Sequence, residues 1–193
     1  MTAVDRAALR RQEPHAVEAF YRAHARTVLR WVVRLGGPRL DPEDTAHDVF
    51  LAAMRAIGRY DPTLPLEPWL FGVTRGVVAN ARRKAWFRRM IGWDEEPELP
   101  DRGPGLDARL DQLRRRRLVQ DVLEQLTEDA RVVLVLVDLE GRTAPEVAEL
   151  LGVPVGTVYS RVHGARKRFA EVLGSGRFAL SHDALRDALR EEP

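Results

Sequence analysis

The chain has 193 residues, 45% of them hydrophobic and 31% charged, with a net charge of only +2. That length allows one domain or two small ones with compact cores, and the apolar content excludes a disordered chain. Cysteine is absent, which removes disulfides, thiolate zinc sites and cysteine nucleophiles together. No window approaches the roughly 18 apolar residues of a membrane span, and the amino terminus carries no apolar signal segment, so the expectation is a soluble cytoplasmic protein.

Charge is laid out in blocks. Basic residues cluster at Arg82-Arg83-Lys84, Arg88-Arg89, Arg114 to Arg117 and Arg161 to Arg168, and acids at Asp41 to Asp48 and Asp94 to Asp101. Segregation of this kind fits a nucleic-acid face and a separate face for a basic partner, although charge runs are more often solvated surface.

Residues 1–13 are polar, arginine-rich and aperiodic, and read as a flexible leader. From Pro14 the positions Val17, Phe20, Tyr21, His24, Val28, Trp31, Val32 and Leu35 recur at three and four, which predicts an amphipathic helix stopped by Gly36-Gly37-Pro38. Asp41 caps the next helix, with Pro42 at its first position and Glu43 and Asp44 at its positive end. Its apolar stripe is Ala46, Val49, Phe50, Ala53 and Ile57. Asp44, His47 and Asp48 share the other side, where a metal or acid-base site is conceivable and a partner-binding acidic face fits better.

After Tyr60-Asp61-Pro62 a third helix begins near Pro65, with Leu66, Trp69, Leu70, Val73, Val77 and Val78 facing a core. It runs into Arg82-Arg83-Lys84 and Trp86-Phe87-Arg88-Arg89. These aromatics either cap the helical core or hold a nucleic-acid strand by stacking beside phosphate contacts, and local sequence does not choose. Proline, glycine and acids then break all periodicity, so 14–91 reads as one helical domain, 92–111 as an acidic Pro/Gly-rich linker and 112–173 as a second helical domain.

In the second domain Val119, Val122, Leu123 and Leu126 mark one helix and Thr127 caps another. Residues 132–137 are rich in β-branched side chains and suit a buried strand, but no second strand is present to pair with it, so a helix is expected. Thr143 and Glu146 form a capping box, Val147, Leu150 and Leu151 face a core, and Gly152 supplies a left-handed helix end before Pro154. The following helix places Val158, Val162 and Phe169 on one side. Thr157, Tyr159, Ser160, Arg161, His163, Arg166, Lys167 and Arg168 lie around the rest. This is a helix-turn-helix whose second helix suits a major groove. Residues 174–193 form a tail, with Ser181 capping a short helical pattern through Leu185 and Leu189.

Three stretches together carry a family resemblance: Asp41 to Arg55, Pro68 to Arg75 with Arg82-Arg83-Lys84, and Thr143 to Phe169. In that order they resemble the extracytoplasmic-function group of bacterial RNA polymerase sigma factors, of the sigma-70 family. The resemblance implies an all-α chain of two helical domains, region 2 and region 4, with no catalysis and no cofactor. It implies that Asp44, Asp48, Val49 and Phe50 meet the β′ coiled coil of core polymerase. Tyr60, Asp61, Trp69, Arg75, Asn80, Arg82, Arg83 and Lys84 would capture and read the minus-10 element, and Thr157, Tyr159, Ser160, Arg161, His163, Arg166 and Lys167 the minus-35 element. The implied partners are the β′ and β subunits, promoter DNA and an anti-sigma factor, and the linker would run near the active-site cleft.

Two departures bear on specificity. Where the family commonly carries Asn-Leu-Ala-Ile-Asp, Arg75 is followed by Gly76-Val77-Val78-Ala79-Asn80, and Gly164 stands where a basic residue is usual. The second departure costs about 1 kcal/mol of helix stability and one phosphate contact, so weaker or more adaptable minus-35 binding is expected. Two other classes of function suit parts of the pattern: a stand-alone helix-turn-helix regulator that dimerises on an operator, and a metal-dependent nucleic-acid enzyme using Asp44, His47 and Asp48.

Overall fold

A computed structural model describes residues 6–37, 39–61, 63–92, 119 and 121–174. Its elements are helices α1 (Arg6–Arg10), α2 (Pro14–Gly36), α3 (Pro42–Ala56), α4 (Leu66–Met90), α5 (121–124), α6 (Glu128–Leu134), α7 (Ala144–Leu151) and α8 (Val155–Gly174). The described residues contain no strand, as the all-α reading expects. Two compact units result, the first carrying α1 to α4 as far as Phe87 and the second taking up from Arg88. The linker and the tail lie outside the described residues, apart from Gly92 and Gly174.

The first unit is organised by the stripe of α2. Phe20, Val28, Trp31, Val32 and Leu35 are buried against Val49 and Ala53 of α3, Ile57 of the 3₁₀ turn Ile57–Arg59, and Leu70 and Phe71 of α4. Trp31 and Phe71 meet edge to face with centroids 5.0 Å apart, and Phe20 meets Phe50 the same way at 5.7 Å. Each such side chain contributes about 1.5–3 kcal/mol by leaving water. Asp41 caps α3 as expected, its carboxylate accepting from the Asp44 amide at 2.8 Å.

The leader departs from expectation. Arg6–Arg10 is helical, and Ala8 and Leu9 are 1% and 0% exposed. The Arg10 guanidinium donates to the Gly58 carbonyl and the Gln12 amide side chain to the Met54 carbonyl, while Gln12 itself, at φ 57°, ends the helix. Two apolar residues are too few to register as a period. Their burial is decided by what α2 and the turn after α3 leave uncovered.

In the second unit the apolar run from Val132 to Leu136 is helical, not extended, and almost wholly buried. At Val135–Leu139 the helix widens into a π turn, in which the Glu140 amide donates to the Val135 carbonyl at 2.9 Å. Thr127 caps α6 as expected, accepting from the Ala130 amide. Arg131, 6% exposed, donates to the carbonyls of Leu123 at 2.7 Å and Leu126 at 3.1 Å, tying α6 to the turn that follows α5.

The helix-turn-helix follows its sequence closely. Glu146 accepts from the Thr143 amide and hydroxyl, both at 2.7 Å, while the Thr143 hydroxyl accepts from the Glu146 amide. Gly152 has φ 64°, and the Val153 amide closes the end of α7 on the Ala148 carbonyl at 3.1 Å. Val147, Val158, Val162, Ala165 and Phe169 are buried, and α8 packs chiefly on α6.

Candidate nucleic-acid interface

Because Val158, Val162, Ala165 and Phe169 face inward, the opposite side of α8 is left to water. Tyr159 is 62% exposed there, with Ser160, His163, Gly164 and Lys167 also exposed and Thr157 half-buried. The Ser160 hydroxyl donates to the Thr157 carbonyl at 3.0 Å, which leaves its oxygen as an acceptor at the surface.

The arginines of α8 differ in kind. Arg166, grouped by the sequence with the DNA readers, donates from Nε and Nη2 to the two oxygens of Asp138 at 3.1 and 2.6 Å. Asp138 is buried, and these bonds raise the Arg166 pKa further above its ordinary value. Its guanidinium is thereby committed to tying α8 onto the π turn. Arg161 instead forms an ion pair with Asp129, Nη2 to carboxylate oxygen 2.9 Å, and Arg168 pairs with Glu171 at 3.3 Å.

On α4 the predicted residues separate into two groups. Trp69, Gly76, Asn80, Arg83 and Phe87 fall along one face by helical spacing. Asn80, Arg83 and Lys84 are exposed, while Trp69 and Arg75 are half-buried. Arg82 turns inward and donates to the Gly36 carbonyl at 3.1 Å and the Leu35 carbonyl at 3.4 Å, closing the end of α2. Tyr60 is 2% exposed; its hydroxyl donates to the Leu64 carbonyl at 2.6 Å and its ring packs on Trp69 at 4.9 Å. Asp61 accepts from the Thr63 amide at 2.9 Å and hydroxyl at 2.8 Å, which hold its carboxyl below the usual range. Tyr60 and Arg82 therefore shape the loop and the helix junction, while the Asp61 carboxylate stays exposed at the surface. Trp86 and Phe87, 57% and 53% exposed, do not cap the core.

On α3 Asp44, His47 and Asp48 are exposed, whereas Val49 and Phe50, expected to meet a partner, are 0% and 8% exposed. Phe50 is held between Phe20 and Tyr21, the latter 4.7 Å away. The apolar side chains that reach the surface here are Leu51, 41% exposed, and Tyr21, 52% exposed. Leu51 falls one turn beyond Asp48 and outside the buried stripe, and that misplacement is the signal from which it could have been found. Asp44, His47 and Asp48 do not form a group able to hold a metal ion.

Comparison with known proteins bears on both units. The family described as "Sigma-70 region 2" matches residues 20–88, and "Sigma-70, region 4" matches residues 116–169. The chain is 32% identical over 158 residues to the ECF RNA polymerase sigma factor SigL of Mycobacterium tuberculosis, an alignment covering 79% of this chain and 86% of that one. It resembles CnrH, solved in complex with the cytosolic domain of CnrY, with a TM-score of 0.58 and 28% identity over 90% of this chain and 99% of that one. It shares the fold of the sigma factor RpoE of Bartonella quintana, solved with the anti-sigma factor NepR, with a TM-score of 0.54 and 23% identity over 83% and 99% of the two chains.

Proposed function

Since the chain belongs to the extracytoplasmic-function group of the sigma-70 family, we propose that its three surfaces divide the work of promoter recognition, in the cytoplasm and without bond chemistry of their own. As a sigma factor it joins core RNA polymerase, recognises the minus-35 and minus-10 elements and promotes opening of the DNA. The division of labour is read from the exposed side chains.

Asp44 and Asp48 of α3, with Leu51 beside them, meet a basic helical surface of core polymerase; buried Val49 and Phe50 hold that face in place. Asn80, Arg83 and Lys84 of α4 meet the minus-10 element. Extruding a base costs a few kcal/mol of stacking, which contacts along this face must offset. Exposed Trp86 and Phe87 offer the opened strand rings to stack on, each such contact worth about 1–3 kcal/mol. Tyr159, Ser160, Arg161, His163 and Lys167 of α8 meet the minus-35 duplex, where a good base-edge pair discriminates by about 1–3 kcal/mol and lysine adds salt-dependent phosphate contact.

The observation that carries this reading is the polar, basic outer side of α8, fixed on α6 by an inner stripe that is fully buried. CnrH and RpoE were each solved with a protein partner, and by likeness to them we take an anti-sigma factor to hold this chain inactive by covering the same surfaces. The test is run-off transcription with bacterial core polymerase on a promoter library, comparing the protein with Tyr159→Ala and Asp48→Ala. Promoter-specific transcripts should need the protein, and Asp48→Ala should weaken polymerase binding while Tyr159→Ala spares it. Tight binding of the protein alone to a symmetric duplex, with no transcript, would refute the reading.

A further inference from the structure

We propose that Asp129, at the start of α6, is a specificity-determining residue that reserves Arg161 for base edges and keeps it off the phosphate backbone. This rests on the reading of α8 as the helix that enters the minus-35 duplex. Neither family resemblance nor local sequence marks Asp129, which lies 32 positions from Arg161.

The geometry separates Arg161 from its neighbours on α8. Arg166 has two nitrogens bound to a buried carboxylate, and Arg168 lies near the end of the helix against Glu171. Arg161 meets Asp129 most closely through Nη2, at 2.9 Å, and the two side chains are 31% and 42% exposed. The rest of its guanidinium fork remains able to donate, and a guanine edge needs two such donors. The pair also sits where α6 and α8 are packed together, and Thr127 caps α6 two residues before Asp129. Arg161 is therefore ordered before DNA arrives, and less conformational freedom is lost on binding.

The charge of Asp129 adds selectivity to that order. A carboxylate 2.9 Å from the guanidinium offsets part of its positive charge as seen from a distance. A phosphate approaching Arg161 meets that carboxylate as a like charge and is disfavoured. The uncharged N7 and O6 of guanine meet no such repulsion and still find the donors. An arginine freed of this partner would behave as an ordinary phosphate-binding cation, adding affinity for every sequence alike.

The experiment uses the full chain assembled with bacterial core polymerase, and double-stranded fragments randomised across the upstream promoter element as probe. Base preference is read from enrichment and salt dependence from competition binding, for the parent protein, Asp129→Asn, Asp129→Glu and Arg161→Ala. Asp129→Asn should bind random duplex several-fold more tightly and steepen the salt dependence by about 0.9 in log–log slope, one further phosphate contact. It should also flatten the preference at one base position by about tenfold, and Asp129→Glu should restore both. Unchanged slope and preference in Asp129→Asn would overturn the proposal. So would an equal loss of affinity for all duplexes at unchanged slope, the mark of a merely structural residue. Should Arg161→Ala leave base preference intact, α8 does not read through Arg161 and the parent reading fails at that residue together with this one. If Arg161→Ala abolishes the preference and Asp129→Asn does not touch it, the role of Asp129 alone is refuted.

Discussion

Arg166→Ala separates two uses of a basic residue on a DNA-facing helix. The substitution strips Asp138, whose side chain is 4% exposed, of two charge-assisted hydrogen bonds at 2.6 and 3.1 Å. Removing one member of a fully buried pair costs about 3–5 kcal/mol; the Arg166 side chain is 48% exposed, and water there screens the pair, so about 2–3 kcal/mol is expected. That loss should speed amide exchange in α8 and in the π turn about 30- to 150-fold, with exchange in α2 and α3 unchanged. The assay is hydrogen exchange read by mass spectrometry on the full chain, which reports the second unit without requiring the two units to unfold together. Replacing both partners by leucine should cost less than Arg166→Ala alone, since no buried carboxylate is then left behind. Unchanged exchange in α8, accompanied by weaker duplex binding and a shallower salt dependence, would show that Arg166 serves the phosphate backbone and refute the structural assignment.

Gly164→Ala should raise stability by about 0.5–1 kcal/mol in chemical unfolding, because a Cβ there meets nothing within 4 Å; Gly164→Arg should also steepen the salt dependence of duplex binding by about one. Arg82→Ala should cost about 1–2 kcal/mol and raise amide exchange in the residues that follow Gly36, as carbonyls at the end of α2 lose their donor. Leu9→Ala should cost about 2–5 kcal/mol of first-unit stability despite its place in an unpatterned leader. The Thr143 hydroxyl and amide hold the Glu146 carboxyl below its ordinary 4.5, so its contribution is complete above that value and is lost as pH falls through the lower folded one. Acid titration of the Thr143 and Glu146 amides by NMR should show this loss, and Glu146→Gln should abolish the pH dependence.

What the sequence announced was local. The Thr143–Glu146 box, Gly152 at the end of α7 and the three-and-four stripe of α2 each depend on neighbours within a turn or two, and each stands where it was expected. What it concealed depends on partners far along the chain. Arg82 is spent on the carbonyl end of α2, and Arg166 on an aspartate 28 residues away, although both read as DNA contacts. Tyr60 has the composition of a DNA contact, but its ring lies against Trp69 and its hydroxyl is used within the loop. Val49 and Phe50 share a helix with Asp44 and Asp48, and a motif reading cannot tell that the two pairs face opposite ways. A β-branched run predicted neither the π turn nor its position, because a one-residue widening of a helix leaves no period to detect.

That widening acts as a phase adjuster. An α-helix advances each side chain by about 100°, so one residue added to a turn rotates all that follows by that angle while moving it along the axis by only about 1.5 Å. Asp138 lies inside the widened stretch, and its meeting with Arg166 depends on the number of residues between Val135 and Leu139 more than on their kinds. Valine exchanged for isoleucine within the turn should be absorbed as a packing change. Deleting one residue would swing the carboxylate away from α8 and leave every other side chain in the turn chemically intact, so here chain length, not composition, is the inherited information.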